Sequence, residues 1–255
     1  MVKAKKRFGQ NFLKDSSVKT KIIQSMPKND NLIIEIGPGL GDLTEMLLKL
    51  KPVTAIEIDR DLYAGLRVKF ASDIQSERLT LLNEDIMEYR AAGEIHTSPY
   101  DMIANLPYYI ATSIILDALD DELCQNVLVM VQKEVALKFC AKPGDKSFSS
   151  LSVLTSMVAD AEYLFDVPPT AFTPQPKVTS AVFRIRKHSS GIEKAFSEFL
   201  KIAFCQPRKK LLKNLSSKYD KVALETFFNE HDISLTLRPH EMDATTLYRL
   251  FSTMS

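Results

Sequence analysis

The sequence predicts an α/β fold, in which a Rossmann-like parallel sheet covered by helices is joined to a small all-helical C-terminal domain. From residue 32 onward, apolar runs of strand length alternate with helix-like stretches, which is typical of a parallel sheet covered on both faces. A glycine-rich loop, GPGLG, follows the first apolar run, at the edge where such sheets bind ligands. Beyond His188 the apolar spacing is helical throughout.

Five apolar runs are predicted to form the body of the sheet, and two later runs extend it. The later pair, AEYLFDVP and VTSAVFRIRK, flanks PPTAFTPQPK, a stiff loop with four prolines in ten residues. The five earlier runs are LIIEI (32–36), VTAIEI (53–58), LTLLNED (79–85), YDMIANLP (100–107) and NVLVMVQ (126–132).

Four amphipathic segments predict the helices of the C-terminal part, and HSSG (188–191) marks a boundary before them. The predicted domains are therefore residues 1–188 and residues 189–255. The four segments are IEKAFSEFLKIAF, RKKLLKNLSSKY, KVALETFFNEH and DATTLYRLFSTM.

Composition limits the classes of protein to consider. Of the 255 residues, 45% are hydrophobic and 25% charged, which are ordinary values for a globular protein in solution. No apolar run is long enough to cross a membrane. Three cysteines without CxxC or Cys/His spacing predict no disulfide framework and no metal site, and favour a reducing, cytoplasmic compartment. Without a coiled-coil pattern, we expect a monomer.

The net charge of +1 conceals a strong separation of charge along the chain. Residues 1–28 carry a net charge of +7, residues 29–183 carry −11, residues 184–221 carry +8, and residues 222–255 carry −3. An acidic body between two basic surfaces is expected for a protein that binds a polyanion such as nucleic acid.

The glycine loop predicts a nucleotide-type cofactor, and its flanking charges favour one kind. Gly37, Gly39 and Gly41 lie between a strand and a helix, where glycine lets the backbone turn tightly and approach a ligand. A dinucleotide fingerprint has the spacing GxGxxG, whereas this loop has GxGxG between Glu35 and Asp42. Because these carboxylates repel a pyrophosphate but not a sulfonium cation, the loop favours S-adenosylmethionine.

Two further acidic residues follow the next strands. Glu57 lies twenty residues after Gly37, near the end of the second strand, where a carboxylate accepts hydrogen bonds from ribose hydroxyls. Asp85 ends the third predicted strand, near the position expected for an adenine amino group. Both are predicted to line the cofactor pocket.

The segment ANLPYY (104–109) predicts a site that holds an amine. The exocyclic amine of adenine is a poor nucleophile because its lone pair is delocalised into the ring. Two acceptors, the side-chain oxygen of Asn105 and the carbonyl of Leu106, would favour a pyramidal nitrogen with a free lone pair. Pro107 biases Leu106 to an extended conformation, and Tyr108 offers a ring for base stacking.

Seven motifs resemble those of the ribosomal RNA adenine dimethyltransferase family, and in particular of its bacterial small-subunit members. The resemblance begins at about residue 5 and continues to the C-terminus. It implies a class I S-adenosylmethionine-dependent methyltransferase fold, with residues 1–188 as the catalytic domain and residues 189–255 as a domain that binds RNA or the ribosome. The motifs are KKRFGQNFL, EIGPGLGDLT, AIEIDRDL, ANLPYY, VQKEVA, FTPQPKVTSAVFR and AFCQPRKKLLKNL.

The resemblance also implies roles for individual residues. Phe172 is implied to sandwich the target adenine opposite Tyr108. The implied donor contacts are Asn11, Leu13, Gly37, Glu57, Asp85 and Asn105. The basic residues expected on the ribosomal RNA are Lys5, Lys6, Arg7, Arg208, Lys209, Lys210 and Lys213, whose phosphate contacts would give affinity without reading sequence.

The activity implied is transfer of four methyl groups to two adjacent adenosines near the 3′ end of small-subunit ribosomal RNA, in a nearly mature 30S particle. Two alternatives stay open: a resistance-type methyltransferase acting on large-subunit RNA, and an assembly factor without catalysis. One departure concerns the active-site motif, because the family commonly has NLPYN and this chain has Tyr109 in place of the last Asn.

Overall fold

The computed structural model describes Lys5, residues 9–91 and residues 97–254. Lys6 and Arg7, two of the residues predicted to bind RNA, lie outside the described residues.

Seven strands form the main sheet, and they follow the predicted runs closely. Their order across the sheet is β4-β3-β2-β5-β6-β9-β7. The strands are β2 (Leu32–Ile36), β3 (Val53–Ile56), β4 (Leu79–Leu82), β5 (Tyr100–Asn105), β6 (Cys124–Gln132), β7 (Ala159–Val167) and β9 (Ser180–Lys187).

The sheet is mixed. Strands β2 to β6 pair in parallel, as predicted, whereas β9 pairs with β6 antiparallel, with Val129 opposite Phe183. The sequence pattern does not distinguish the two directions, because a buried apolar strand has the same pattern whichever way it runs. Consecutive residues Ile33 and Ile34 are both buried, although they point to opposite faces, so helices cover both sides of the sheet.

Helices join the strands and cover the sheet, and several begin at an acidic cap. Asp15 accepts hydrogen bonds from the backbone of Ser17 and Val18, and Asp59 accepts one from Asp61. The helices between the strands are α1 (Ser16–Gln24), α2 (Asp42–Leu48), α3 (Arg60–Lys69), α4 (Ala71–Gln75), α5 (Ile86–Ala91), α6 (Ala111–Asp120), α7 (Lys133–Cys140) and α8 (Ser150–Val158).

A second, two-stranded sheet was not predicted. Strand β1 (Phe12–Leu13) pairs antiparallel with β8 (Phe172–Thr173), and Leu13 lies opposite Phe172. This pairing connects the segment before α1 to the proline-rich loop. Two residues are too short a run for alternation of apolar side chains to be recognised.

The chain divides into two compact units. The first contains residues 1–136 and 162–187, and the second contains residues 137–161 and 188–255. In the second unit, α8 packs against C-terminal helices, which groups residues 137–161 with that unit rather than with the sheet. The domain limits 1–188 and 189–255 stay a prediction. The C-terminal helices are α9 (Lys194–Ala203), α10 (Leu211–Leu215), α11 (Lys221–Glu230) and α12 (Ala244–Met254).

Among the helices of the described ranges, none combines the length and apolar character that crossing a membrane requires.

Candidate active site

A cavity in the first unit opens at the carboxyl ends of β2, β3 and β5. Most residues predicted to bind the donor or the target amine line it, which brings together side chains almost one hundred positions apart. Those lining residues are Asn11, Leu13, Gly37, Glu57, Asp85, Asn105, Leu106, Pro107 and Tyr108.

The glycine loop lies at the floor of this cavity in a conformation that needs glycine. Gly41 has a φ of 77° and adjoins α2. A Cβ atom there would lie 2.5 Å from the ring of Phe70 and 2.7 Å from the side chain of Leu66, so a larger residue would force these two buried side chains to move. Gly39 also has a positive φ, and its backbone N–H donates a hydrogen bond of 3.1 Å to Oε2 of Glu57.

Glu57 links the glycine loop to the next strand. Its side chain is 3% exposed, and Oε1 accepts a hydrogen bond of 2.9 Å from the backbone of Asp59. Burial raises the pKa of the Glu57 carboxyl, while the N–H groups of Asp59 and Gly39 act in the opposite direction. Each carboxylate oxygen can accept a second bond, so Glu57 can also bind hydroxyl groups of a ligand.

Glu35 is the most deeply buried acid of the cavity lining. It is 2% exposed, and burial raises the pKa of its carboxyl to about 8. The hydroxyl of Thr44 is near enough to oppose the effect of burial on the Glu35 pKa, but Oε2 of Glu35 and Oγ1 of Thr44 make no hydrogen bond of good geometry among the described residues. Such atoms are costly in a folded chain and mark a place where a polar ligand or water would bind favourably.

Asn105 lies at the end of β5, and its amide is oriented by the N-terminal segment. The Nδ2 atom donates a hydrogen bond of 3.2 Å to the backbone carbonyl of Asn11. The amide oxygen is therefore the end left to accept from a ligand. The next residue, Leu106, is buried, and its N–H donates a hydrogen bond of 3.1 Å to the carbonyl of Met130 on the neighbouring strand.

Tyr108 lines the cavity half-buried, and its hydroxyl lies 2.6 Å from the hydroxyl of Ser180 at the start of β9. Burial raises the pKa of the Tyr108 phenol, so the side chain is neutral at physiological pH. The bond to Ser180 fixes the edge of the ring, which leaves its face as the surface for stacking.

Lys5 has a different set of neighbours from the one predicted. Its ammonium group lies 2.6 Å from Asp59 and 2.6 Å from Asp61, and Gln10 donates a hydrogen bond of 3.0 Å to Asp59. Lys5 therefore fastens the N-terminal segment to the start of α3, and its contact with RNA stays a prediction. Sequence reasoning missed Asp59, although its position just before a helix predicts a capping role.

Phe172, which the resemblance implies to stack on the target base, does not line the cavity. Its side chain is 1% exposed and packs in the hydrophobic core with Leu13, Ile103 and Val182. The implied sandwich of the target adenine between Phe172 and Tyr108 stays a prediction, and it would require the Phe172 ring to become accessible from the cavity. The pairing of β1 with β8 explains the burial of the ring, because it covers Phe172 with Leu13.

The described residues contain no group of three or more His, Cys, Asp or Glu side chains arranged to hold a metal ion.

Comparison with known proteins decides the family. A family model described as ribosomal RNA adenine dimethylase matches residues 1–253. The chain belongs to the ribosomal RNA adenine dimethylase family.

Curated relatives within this family are similar over nearly their whole length. The ribosomal RNA small subunit methyltransferase A of Sulfurimonas denitrificans is 52% identical, with 97% of this chain and 92% of the relative covered. The protein of the same name from Aliarcobacter butzleri is 51% identical, with 98% of this chain and 96% of the relative covered.

Solved structures agree on the fold of this dimethylase. The 23S rRNA methyltransferase ErmE has a TM-score of 0.72 and 25% identity, with 96% of this chain and 99% of that chain covered. A dimethyladenosine transferase from Plasmodium falciparum has a TM-score of 0.77 and 23% identity, covering 93% and 95%. The fold is thus the predicted class I S-adenosylmethionine-dependent methyltransferase fold with a helical C-terminal region.

The cavity of this dimethylase fits S-adenosylmethionine, the methyl donor of its fold class. Its lining is acidic, and Lys19, a cation of that lining, lies 3.4 Å from the carboxylate of Asp42. A sulfonium and an ammonium group suit such a lining better than a pyrophosphate does.

The remaining predicted residues lie in the second unit of the dimethylase. Arg208, Lys209 and Lys210 are exposed just before α10, and Lys213 is exposed on it. The neighbouring Leu211 and Leu212 are buried, so the helix holds its apolar side in the core and presents the basic run to solvent.

Proposed function

We propose that this chain transfers methyl groups from S-adenosylmethionine to N6 of adenosines in small-subunit ribosomal RNA, two groups to each base. The observation that carries the proposal is Asn105, which lines the acidic cavity together with Tyr108 and whose amide nitrogen is bound to Asn11, so that its oxygen is left to accept from a ligand. This arrangement suits an amine that must be held by acceptors and a base that must be stacked.

Different residues of the cavity would bind the donor and the target amine. Glu57 and Asp85 would accept hydrogen bonds from the ribose and the adenine of the donor, and the N-terminal segment at Asn11 and Leu13 would cover it. When bound, S-adenosylmethionine supplies a methyl group on a sulfonium, whose S–CH₃ bond breaks as the N–CH₃ bond forms. Asn105 and the carbonyl of Leu106 would hold the two amine hydrogens.

The chemistry needs neither a covalent nucleophile nor a strong base. The methylated nitrogen carries a positive charge briefly and loses a proton to water, because a cationic aryl amine is strongly acidic. The acceptors beside it favour that charge, so catalysis rests on positioning and electrostatics. A second round repeats the step at the same nitrogen after exchange of the donor.

The proposal extends to the position of the target adenosines, the state of the ribosomal particle, and the roles of the two domains. We propose that the substrate is a pair of adjacent adenosines near the 3′ end of the RNA, in a late 30S particle, and that four methyl groups are transferred in total. We also propose that the protein acts as a cytoplasmic monomer, with residues 1–188 as the donor-binding catalytic domain and residues 189–255 as the domain that binds RNA. The exposed basic run 208–213 supports the RNA contact, because it presents cations to a phosphate backbone.

A second candidate is methylation of a large-subunit adenosine, which the similarity to the 23S rRNA methyltransferase ErmE favours. One experiment separates the candidates. The protein is incubated with labelled S-adenosylmethionine and with isolated small or large subunits, and modified adenosines are mapped by reverse transcription. We expect dimethylated adenosines in the small subunit. Label in the large subunit would favour the second candidate, and no label in either would favour an assembly factor without catalysis.

A further inference from the structure

Tyr109 is an aromatic residue of the cavity for which the proposed function assigns no role. It follows Tyr108 in the chain and precedes α6 by two residues. Its side chain is 59% exposed, yet it belongs to the lining of the cavity. A large exposed ring at the mouth of a ligand cavity is a common means of covering a flat ligand.

One side of the Tyr109 ring lies against the N-terminal segment. A Cβ atom built on Gly9 would lie 3.4 Å from Cδ1 and 3.7 Å from Cε1 of Tyr109, which is van der Waals contact. Gly9 stands two residues before Asn11, whose carbonyl binds Asn105. The ring therefore adjoins the same segment that orients the amide of Asn105.

Tyr109 shares the cavity lining with two of its acids, Glu57 and Asp85. Burial raises the pKa of the Tyr109 phenol, and the charges of Asp85 and then Glu57 add to the effect. These are the carboxylates that would bind the adenine and the ribose of the donor.

We infer that Tyr109 is a donor-binding residue, whose ring covers the adenosine part of S-adenosylmethionine at the outer wall of the cavity and retains the N-terminal segment over it. The inference rests on the proposed function, since it assigns the adenosine to Glu57 and Asp85. An asparagine in this place, as the resembled family commonly has, offers no aromatic face. Stacking of an adenine on an aromatic ring stabilises a complex substantially, so we expect tighter donor binding than with asparagine.

The test is direct binding of S-adenosylhomocysteine to the full chain by isothermal titration calorimetry. We expect Tyr109→Asn to raise the Kd about tenfold, which corresponds to about 1.4 kcal/mol. Tyr109→Phe keeps the ring and should stay within about threefold of the wild-type Kd. Val68→Asn replaces another exposed apolar residue, outside the cavity lining, and serves as the matched control.

The outcomes separate this inference from the proposed function. If wild-type protein binds S-adenosylhomocysteine and Tyr109→Asn binds it equally tightly, the donor site stands and the role of Tyr109 is wrong. If wild-type protein does not bind it, the proposed donor site itself is wrong. Steady-state kinetics give a second measurement, in which Tyr109→Asn should raise the KM for the donor with little change in the KM for the subunit. A raised KM for the subunit with an unchanged KM for the donor would mean that Tyr109 contacts the RNA, and it would overturn the inference.

Discussion

The side-chain nitrogen of Asn105 donates a hydrogen bond of 3.2 Å to the backbone carbonyl of Asn11, 94 positions earlier in the chain. Asn105 ends a central strand, whereas Asn11 belongs to the segment before the first helix. The bond occupies the donor end of the amide, which leaves the oxygen to accept from a ligand in the cavity that Asn105 lines. An amine-holding site thus depends on a segment far away in sequence.

Asn105→Ala should abolish methyl transfer while leaving binding to the small subunit intact. Removal of a preorganised polar group from an active site typically lowers kcat by about 100-fold or more. Filter binding and labelled methyl transfer measure the two properties separately. Asn105→Asp is the informative companion, because it keeps an acceptor oxygen but replaces the NH₂ group that binds Asn11 with a second oxygen. Wild-type rates in the alanine variant would disprove the role of Asn105 as an acceptor.

Lys5→Gln should weaken donor binding several-fold without changing the affinity for the subunit. The substitution removes the ion pairs with Asp59 and Asp61 that fasten the N-terminal segment. Lys5→Arg keeps the charge and is the matched control. Calorimetry with S-adenosylhomocysteine and salt-dependent subunit binding distinguish the two roles. A smaller salt dependence of subunit binding in Lys5→Gln would favour the phosphate contact that the sequence predicted.

Lys209→Glu combined with Lys210→Glu should weaken subunit binding and reduce its dependence on salt. For each phosphate that is no longer neutralised, the slope of log K against log salt becomes shallower by about 0.7 to 0.9. The control reverses two exposed charges on the acidic body, Lys49→Glu with Arg67→Glu. If both double variants bind with equally reduced affinity, net charge rather than the basic run governs binding.

Glu35→Gln should change how stability depends on pH. The pKa of Glu35 is about 8 in the folded chain, against an ordinary value of 4.5 for a glutamate. The stability due to the protonated form is complete below pH 4.5 and is lost as the pH rises towards 8, by up to about 5 kcal/mol. Gln cannot ionise, so denaturant unfolding of the variant should show a flatter profile and greater stability at pH 8.

Exposed Glu88→Gln on α5 is the control for that experiment and should preserve the wild-type profile. Parallel profiles for wild type and Glu35→Gln would mean that Glu35 is already ionised in the folded chain.

Substitutions of Phe172 distinguish a ring that only stabilises the hydrophobic core from a ring that also stacks on the substrate. Phe172→Ala should lower the free energy of unfolding by about 3–5 kcal/mol, because it opens a cavity in the core. Phe172→Leu should cost about 1 kcal/mol and keep methyl transfer within about threefold. Thermal unfolding and initial rates give both values. A stable leucine variant with kcat lowered more than tenfold would support the stacking role.

Much of the fold and of the donor site follows from local sequence. The run LIIEI matches β2 residue for residue, and Gly37 and Gly39 after it line the cavity as expected. Both are consequences of short-range chemistry: apolar strands are buried, and positive φ favours glycine. Glu57 was also placed correctly in the lining, since the strand that precedes it is short and well bounded.

The rest depends on interactions between distant segments. The sequence does not show that Lys5 meets Asp59, that Asn11 orients Asn105, or that Phe172 is covered by Leu13. A basic residue near the N-terminus has the same sequence signature whether it binds RNA or a carboxylate. An aromatic residue in a proline-rich loop likewise carries no sign of whether its ring is buried.

The pairing of β1 with β8 has a consequence for the binding of the donor and the RNA. One short stretch of chain contains Asn11, which binds the amide of Asn105, and Leu13, which pairs with Phe172 beside the proline-rich loop. A ligand that orders this stretch on the donor side also orders the proline-rich loop, and the strand after that loop begins at Ser180, whose hydroxyl lies 2.6 Å from that of Tyr108. The donor and the RNA are therefore expected to bind cooperatively, each raising the affinity for the other by the same factor.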